Sequence, residues 1–235
     1  MSQSIARPTT QEGKLTAKLE SRYVCIPPVG LAGTLRIPQT ARAFIAFAHG
    51  SDSSRFSPRN MAVAEGLNAG RLGTLLFDLL TSKEEADRAN VFDVALVAER
   101  LVDSVIWLDR ESPTSHRPLG LFGASTGAAA ALVAAAQLGD RISAVVSRGG
   151  PPDLAGKSLD QLRTPTLLIG RGGLCGDRTQ RGDADTPQGS RGVRDRPGAS
   201  HLFPEPGALE AVIDHATRWL AWHLAATSPK ASSQD

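Results

Sequence analysis

Residues Pro118–Ala136, PLGLFGASTGAAAALVAAA, join a short apolar run, a Gly-Ala-Ser-Thr-Gly turn and an alanine-rich stretch. A serine in a G-x-S-x-G turn between a strand and a helix presents its hydroxyl at the strand's end, where it can act as a nucleophile. Gly123 and Gly127 stand where a Cβ would collide with the neighbouring strand or helix. Ser125 is therefore the candidate nucleophile. The helix behind it points its N-terminal amides at the site, and the Thr126 amide is placed to donate to the oxyanion of a tetrahedral intermediate. The competing reading is a glycine-rich helix entry that only packs closely.

A second oxyanion donor belongs in the turn after an earlier strand. AFAHGSDSSRFSPRN, residues 46–60, has a His-Gly followed by small polar residues. The Ser51 amide is the expected donor, with Gly50 supplying flexibility. His49 is read as a structural residue that shapes this turn. The general base is sought late in the chain, because triads built on such an elbow run in the order Ser, acid, His. His201, in PGASHLFPEPGALE, lies just before a final amphipathic stretch and can reach back to Ser125. His116 falls in a polar loop, and His215 and His223 are expected on the surface of the last helix.

These residues need a scaffold. Apolar runs at Tyr23–Ile26, Leu31–Ile37, Phe44–Ala48, Gly73–Phe77, Leu119–Phe122, Ala144–Ser147 and Thr166–Ile169 read as strands. AFIAFAHG is apolar throughout and stops at a glycine, as a strand buried on both faces should. Between the strands, Val94, Val97, Leu101, Val102, Val105 and Leu108 recur at helical spacing, as do Leu209, Val212, Ile213, Ala216 and Leu220. The alternation predicts an α/β fold, a mostly parallel sheet with helices on both faces. One domain over 21–226 is expected, with polar tails at 1–20 and 227–235.

Composition narrows the function classes. Arg171–Pro197 holds six Arg and four Asp, which leaves 26 − 6 = 20 basic and 24 − 4 = 20 acidic residues elsewhere. The net charge of +2 is thus local, and the Arg-rich segment has no aromatic residue for stacking. No nucleic-acid partner is expected. Without an apolar leader or spanning stretch, no membrane partner is expected either, and the location expected is the cytoplasm. Cys25 and Cys175 have neither metal-ligand nor disulfide-framework spacing, so no metal site is expected.

AHGSDSSRFSPRN, LFDLLT, FGASTGAAAALVAAA, VVSRGGPPDLAG, PTLLI and PGASHLFPEPGALE, in that order over most of residues 20–225, resemble the small bacterial dienelactone-hydrolase-like group of α/β-hydrolases. The resemblance implies a Ser-His-acid triad carried by Ser125 and His201, a small-molecule ester or lactone substrate, and no cofactor. Dienelactone hydrolases proper carry cysteine in the elbow, so their substrate does not transfer. The group places its aspartate in a turn after PTLLI, followed by a helix and a further strand. Here Arg171–Pro197 contains only Leu174, Cys175, Ala184 and Val193 as apolar residues, and it is expected to be irregular. Asp177 ranks first as the acid and Asp153 second. Read one base late, the segment can encode VADSVVIELNEETPTRLRVHAEYVIVP, which restores an aspartate, an amphipathic helix and a strand; a frameshift is the expectation, a divergent Gly/Arg loop the alternative. The function expected is a serine hydrolase working through an acyl-enzyme. The second reading is a catalytically impaired α/β-hydrolase-like binding or regulatory module. Oligomeric state does not follow from the sequence.

Overall fold

The computed structural model describes residues 18–51, 53–171, 191–196 and 207–226. Its strands are β1 (Leu19–Ile26), β2 (Leu31–Pro38), β3 (Ala43–Ala48), β4 (Leu72–Phe77), β5 (Leu119–Ala124), β6 (Ile142–Arg148), β7 (Thr166–Arg171) and β8 (Arg191–Arg196). The helices are α1 (Pro58–Ala69), α2 (Ser82–Glu85), α3 (Arg88–Phe92), α4 (Val94–Arg110), α5 (Thr126–Leu138), α6 (Ser158–Gln161) and α7 (Ala208–Ala226). The strands form one sheet in the order β1-β2-β4-β3-β5-β6-β7-β8. β1 and β2 are antiparallel to their neighbours, and every pairing from β4 to β8 is parallel.

The central strands are apolar because both their faces are covered. Along β3, Phe44, Ala46 and Ala48 belong to one core and Ala43, Ile45 and Phe47 to the other. The first core is closed by α4 and α5 through Val97, Leu101, Val105, Ala131 and Ala135. The second is closed by α1 and α7 through Val63, Leu67, Val212, Ala216 and Leu220. The helical stripes read from the sequence are these buried faces. The small Ala side chains of α5 let that helix lie fully against the sheet, with Ala128–Ala131, Ala134 and Ala135 all within 1 % of complete burial.

Two expectations need correction. Leu19 and Glu20, expected in the N-terminal tail, belong to β1, whose backbone pairs with β2 from Leu19↔Pro38 onward. Arg191–Arg196, inside the segment expected to be irregular, is a strand paired in parallel with β7 from Thr166↔Arg191 to Arg171↔Arg196. An edge strand is held by backbone hydrogen bonds along one side, which apolar periodicity does not report. No helix among the described residues is long and apolar enough to cross a membrane.

Candidate active site

β5 ends at Ala124 and α5 begins at Thr126, which leaves Ser125 alone to turn the chain through φ 56° and ψ −124°. An L-residue in that region is strained by its Cβ, and the surrounding structure has to hold it there. It does so with two main-chain bonds. The Ser125 N–H donates to the Arg148 carbonyl at the end of β6 (3.0 Å), and the Ser125 carbonyl accepts from Ala128 N–H in α5 (2.9 Å).

The elbow is packed backbone to backbone. A Cβ on Gly123 would fall 2.4 Å from the Gly127 carbonyl oxygen and 2.6 Å from Ala128 Cα; one on Gly127 would fall 2.3 Å from the carbonyl oxygens of both Ala48 and His49. The turn after β3 is equally close, since a Cβ on Gly50 would sit 2.8 Å from Ser125 Cβ. The two candidate oxyanion residues thereby meet. Ser51 lies beside Thr126, and its N–H donates to Thr126 Oγ1 at 2.8 Å. The amide expected to serve as the second oxyanion donor thus has a side-chain acceptor within the fold. Thr126 opens α5, so its own amide is among the first four N–H groups of the helix, which have no intrahelical acceptor.

His49 is buried, and its Nδ1 lies 3.0 Å from the Gly50 carbonyl oxygen. A carbonyl only accepts, so Nδ1 carries the proton. Burial holds the imidazole pKa below its usual value, partly offset by the Gly50 bond and by the charges of Asp78 and Glu85. These contacts give His49 a turn-shaping place. The far end of the turn is fixed by Asp78, at the end of β4: its Oδ1 accepts from Arg55 N–H at 3.0 Å, and its Oδ2 pairs with the Arg55 guanidinium. Sequence reasoning missed Asp78, whose signal was an acid directly after an apolar strand.

It also missed Arg148. This side chain ends β6, one strand from Ser125, and is 7 % exposed. Its Nη2 lies 3.5 Å from Asn60 Oδ1 in α1. Burial, with the charge of Arg59 adding to it, pushes its pKa down to about 10. The readable signal was a guanidinium closing the run AVVSR, which is apolar but for Ser147.

A cavity of about 20 Å³ adjoins the candidate oxyanion residues, lined among others by His49, Ser51, Leu79, Leu80, Val97 and Thr126. It has room for about one water or a methyl-sized group. The larger cleft, about 380 Å³, lies among Asp109, His116, Asp140 and Arg141 where β5 and β6 begin. That is a strand's length, roughly 20 Å, from the elbow. Chemistry, not size, locates the site.

The remaining expectations divide. His201 and Asp177 lie outside the described residues. Asp153 is exposed in the turn Pro152–Ala155 that follows β6. His116 is exposed at the far cleft. His215 and His223, expected on the surface of the last helix, are half-buried. His223 packs on Trp219 with ring centroids 4.2 Å apart, and burial lowers its pKa. The flanks of α7 are partly covered as well as its central stripe. Among the described residues no three His, Cys, Asp or Glu side chains gather as a metal site would.

No family model matches the chain. A dienelactone hydrolase from Anabaena variabilis is 43% identical, with a TM-score of 0.76, over 88% of this chain and 98% of that one. The chain belongs to the dienelactone-hydrolase-like group of α/β-hydrolases. Solved structures at lower identity share the fold: Est1E of Butyrivibrio proteoclasticus (15% identity, TM-score 0.65, 87% of this chain and 99% of that one) and a lidless α/β serine hydrolase of Xanthomonas campestris (19%, 0.62, 86% and 94%). Two curated Mycobacterium tuberculosis proteins, provisionally named phosphoribosyl transferases, are 50% identical over 212 residues, covering 89% of this chain and 48% of their own length. The chain thus spans about half the length of the curated relatives it matches. The strand, elbow and helix around Ser125 are the part of the candidate site that the described residues carry complete.

Proposed function

We propose that the chain is a serine hydrolase of carboxylic esters or lactones that works through an acyl-enzyme. The observation that carries this reading is Ser125 itself, the one residue between β5 and α5, held at φ 56°. A residue that only joined a strand to a helix would need no such conformation, whereas one that must project its hydroxyl beyond the sheet does.

In the proposed cycle Ser125 Oγ attacks the carbonyl carbon while His201 removes the hydroxyl proton. The C=O π pair moves onto oxygen, and the amides of Thr126 and Ser51 stabilise that charge. As it reforms the C=O, the tetrahedral intermediate expels the alkoxide, which takes the proton from His201. Water, deprotonated by His201, then attacks the acyl-enzyme, and Ser125 leaves as the reprotonated hydroxyl. Asp177 is the acid proposed to hold the imidazole tautomer. The substrate is a small molecule, and no cofactor enters the chemistry.

The test is hydrolysis of short-chain p-nitrophenyl esters by the wild type, Ser125→Ala and His201→Ala. The two variants are expected to fall at least about 10³-fold, as loss of a triad member does. Equal rates in all three reject the assignment. A fluorophosphonate distinguishes the alternative of an impaired binding or regulatory module, because covalent capture requires an activated serine.

A further inference from the structure

A residue in the first turn of a helix supplies its amide whatever its side chain. At that position Thr is a mediocre helix former, being β-branched, yet its hydroxyl in α5 is engaged over a sequence separation of 75 residues with the Ser51 N–H, at 2.8 Å. No local capping explains this bond. It crosses from the elbow to the turn after β3, a turn already pressed against Ser125 at Gly50 and anchored at its other end by Arg55 and Asp78.

We propose that the Thr126 hydroxyl is a positioning residue: by accepting the Ser51 N–H it fixes the turn after β3 on the elbow, so that the amides of Ser51 and Thr126 converge on one point. This rests on the acyl-hydrolase reading and adds to it a role for the side chain of the residue after the nucleophile. The hydroxyl is neutral and compact, and a backbone N–H can be shared between two acceptors. An arriving oxyanion therefore takes its share of the Ser51 N–H while Oγ1 keeps the turn in place. Pre-setting the donor in this way is what makes an oxyanion site effective, since a donor that must first be ordered gives part of its stabilisation back.

The inference separates hydroxyl from shape. Thr126→Val keeps the β-branched volume and removes the acceptor; Thr126→Ser keeps the acceptor and removes the methyl. In ester hydrolysis Thr126→Val is expected to lower kcat by about 10–100-fold with KM within about twofold, less than the 10²–10³ seen when a donor is deleted outright. Thr126→Ser should stay within about threefold of wild type. A second readout needs no activity: amide hydrogen exchange at Ser51 should be slow in the wild type and Thr126→Ser and at least tenfold faster in Thr126→Val. Unchanged Ser51 exchange in Thr126→Val, or a Thr126→Ser variant as impaired as Thr126→Val, overturns the proposal. If Ser125→Ala proves as active as wild type while the exchange pattern holds, the hydrolase reading fails and the tether stands as a feature of the fold.

Discussion

Strain at Ser125 predicts that the proposed nucleophile is held at a cost in stability, which a pair of variants can measure. Ser125→Ala removes Oγ and keeps the Cβ at φ 56°; Ser125→Gly removes both. All interactions of the hydroxyl are lost equally, so the difference between the two reports the Cβ alone. A non-glycine residue held in such a region costs about 1–3 kcal/mol. Glycine gives back about 0.5–1 kcal/mol through the greater entropy of its unfolded chain. The net gain of Ser125→Gly over Ser125→Ala is then centred on about 1.2 kcal/mol and at most about 2.5 kcal/mol. For a domain of this size that corresponds to a melting temperature roughly 2–5 °C higher, and at most about 10 °C. Thermal unfolding followed by circular dichroism reads it directly, with both variants expected at background rate in ester hydrolysis. If Ser125→Gly melts at or below Ser125→Ala, the elbow is unstrained and the observation carrying the proposed function loses its force.

Gly127→Ala should destabilise the fold by about 1–3 kcal/mol or more in urea unfolding, because its Cβ meets the main-chain oxygens of Ala48 and His49, which cannot swing aside as a side chain could; unchanged stability would mean that β3 and α5 are less closely apposed. His49 sets an acid limit. Burial depresses its folded pKa below the unfolded value, so the unfolded state binds more protons between the two, and stability that is full above the unfolded pKa of about 6.5 falls as pH drops towards the folded pKa. His223 acts in the same direction. Melting temperatures from pH 7.5 to 5 should decline less in His49→Asn than in wild type, and identical slopes would show that His49 is not the group responsible. Reading the gene across codons 171–197 should reveal a one-base slip, whereas an intact frame in the source DNA refutes the frameshift.

The turn GASTG, the His-Gly at 49–50 and the run AFIAFA carried much of the site and its support in their residue types alone. They are legible because backbone constraints leave local marks: glycine where a Cβ has no room, small polar residues at turns, unbroken apolar runs where both faces are covered. Seven strands could be located in this way. β8 could not, because an edge strand is held by main-chain pairing to which Arg191–Arg196 contributes without any apolar pattern. Asp78 and Arg148 were missed for a different reason. A charged residue ending a strand reads as the start of a loop, and only the packing of β4 against the turn after β3, and of β6 against α1, turns one into an anchor and buries the other.

The place of the proposed nucleophile could be read from the residues alone, because an elbow is a local structure whose steric demands fall on five consecutive residues. Tertiary structure decided what surrounds it. Only the alignment of β3 beside β5 brings Ser51 to Thr126 across 75 residues and gives the amide expected to face an oxyanion a partner in advance. No spacing along the chain encodes that distance; it follows from the order in which the sheet assembles.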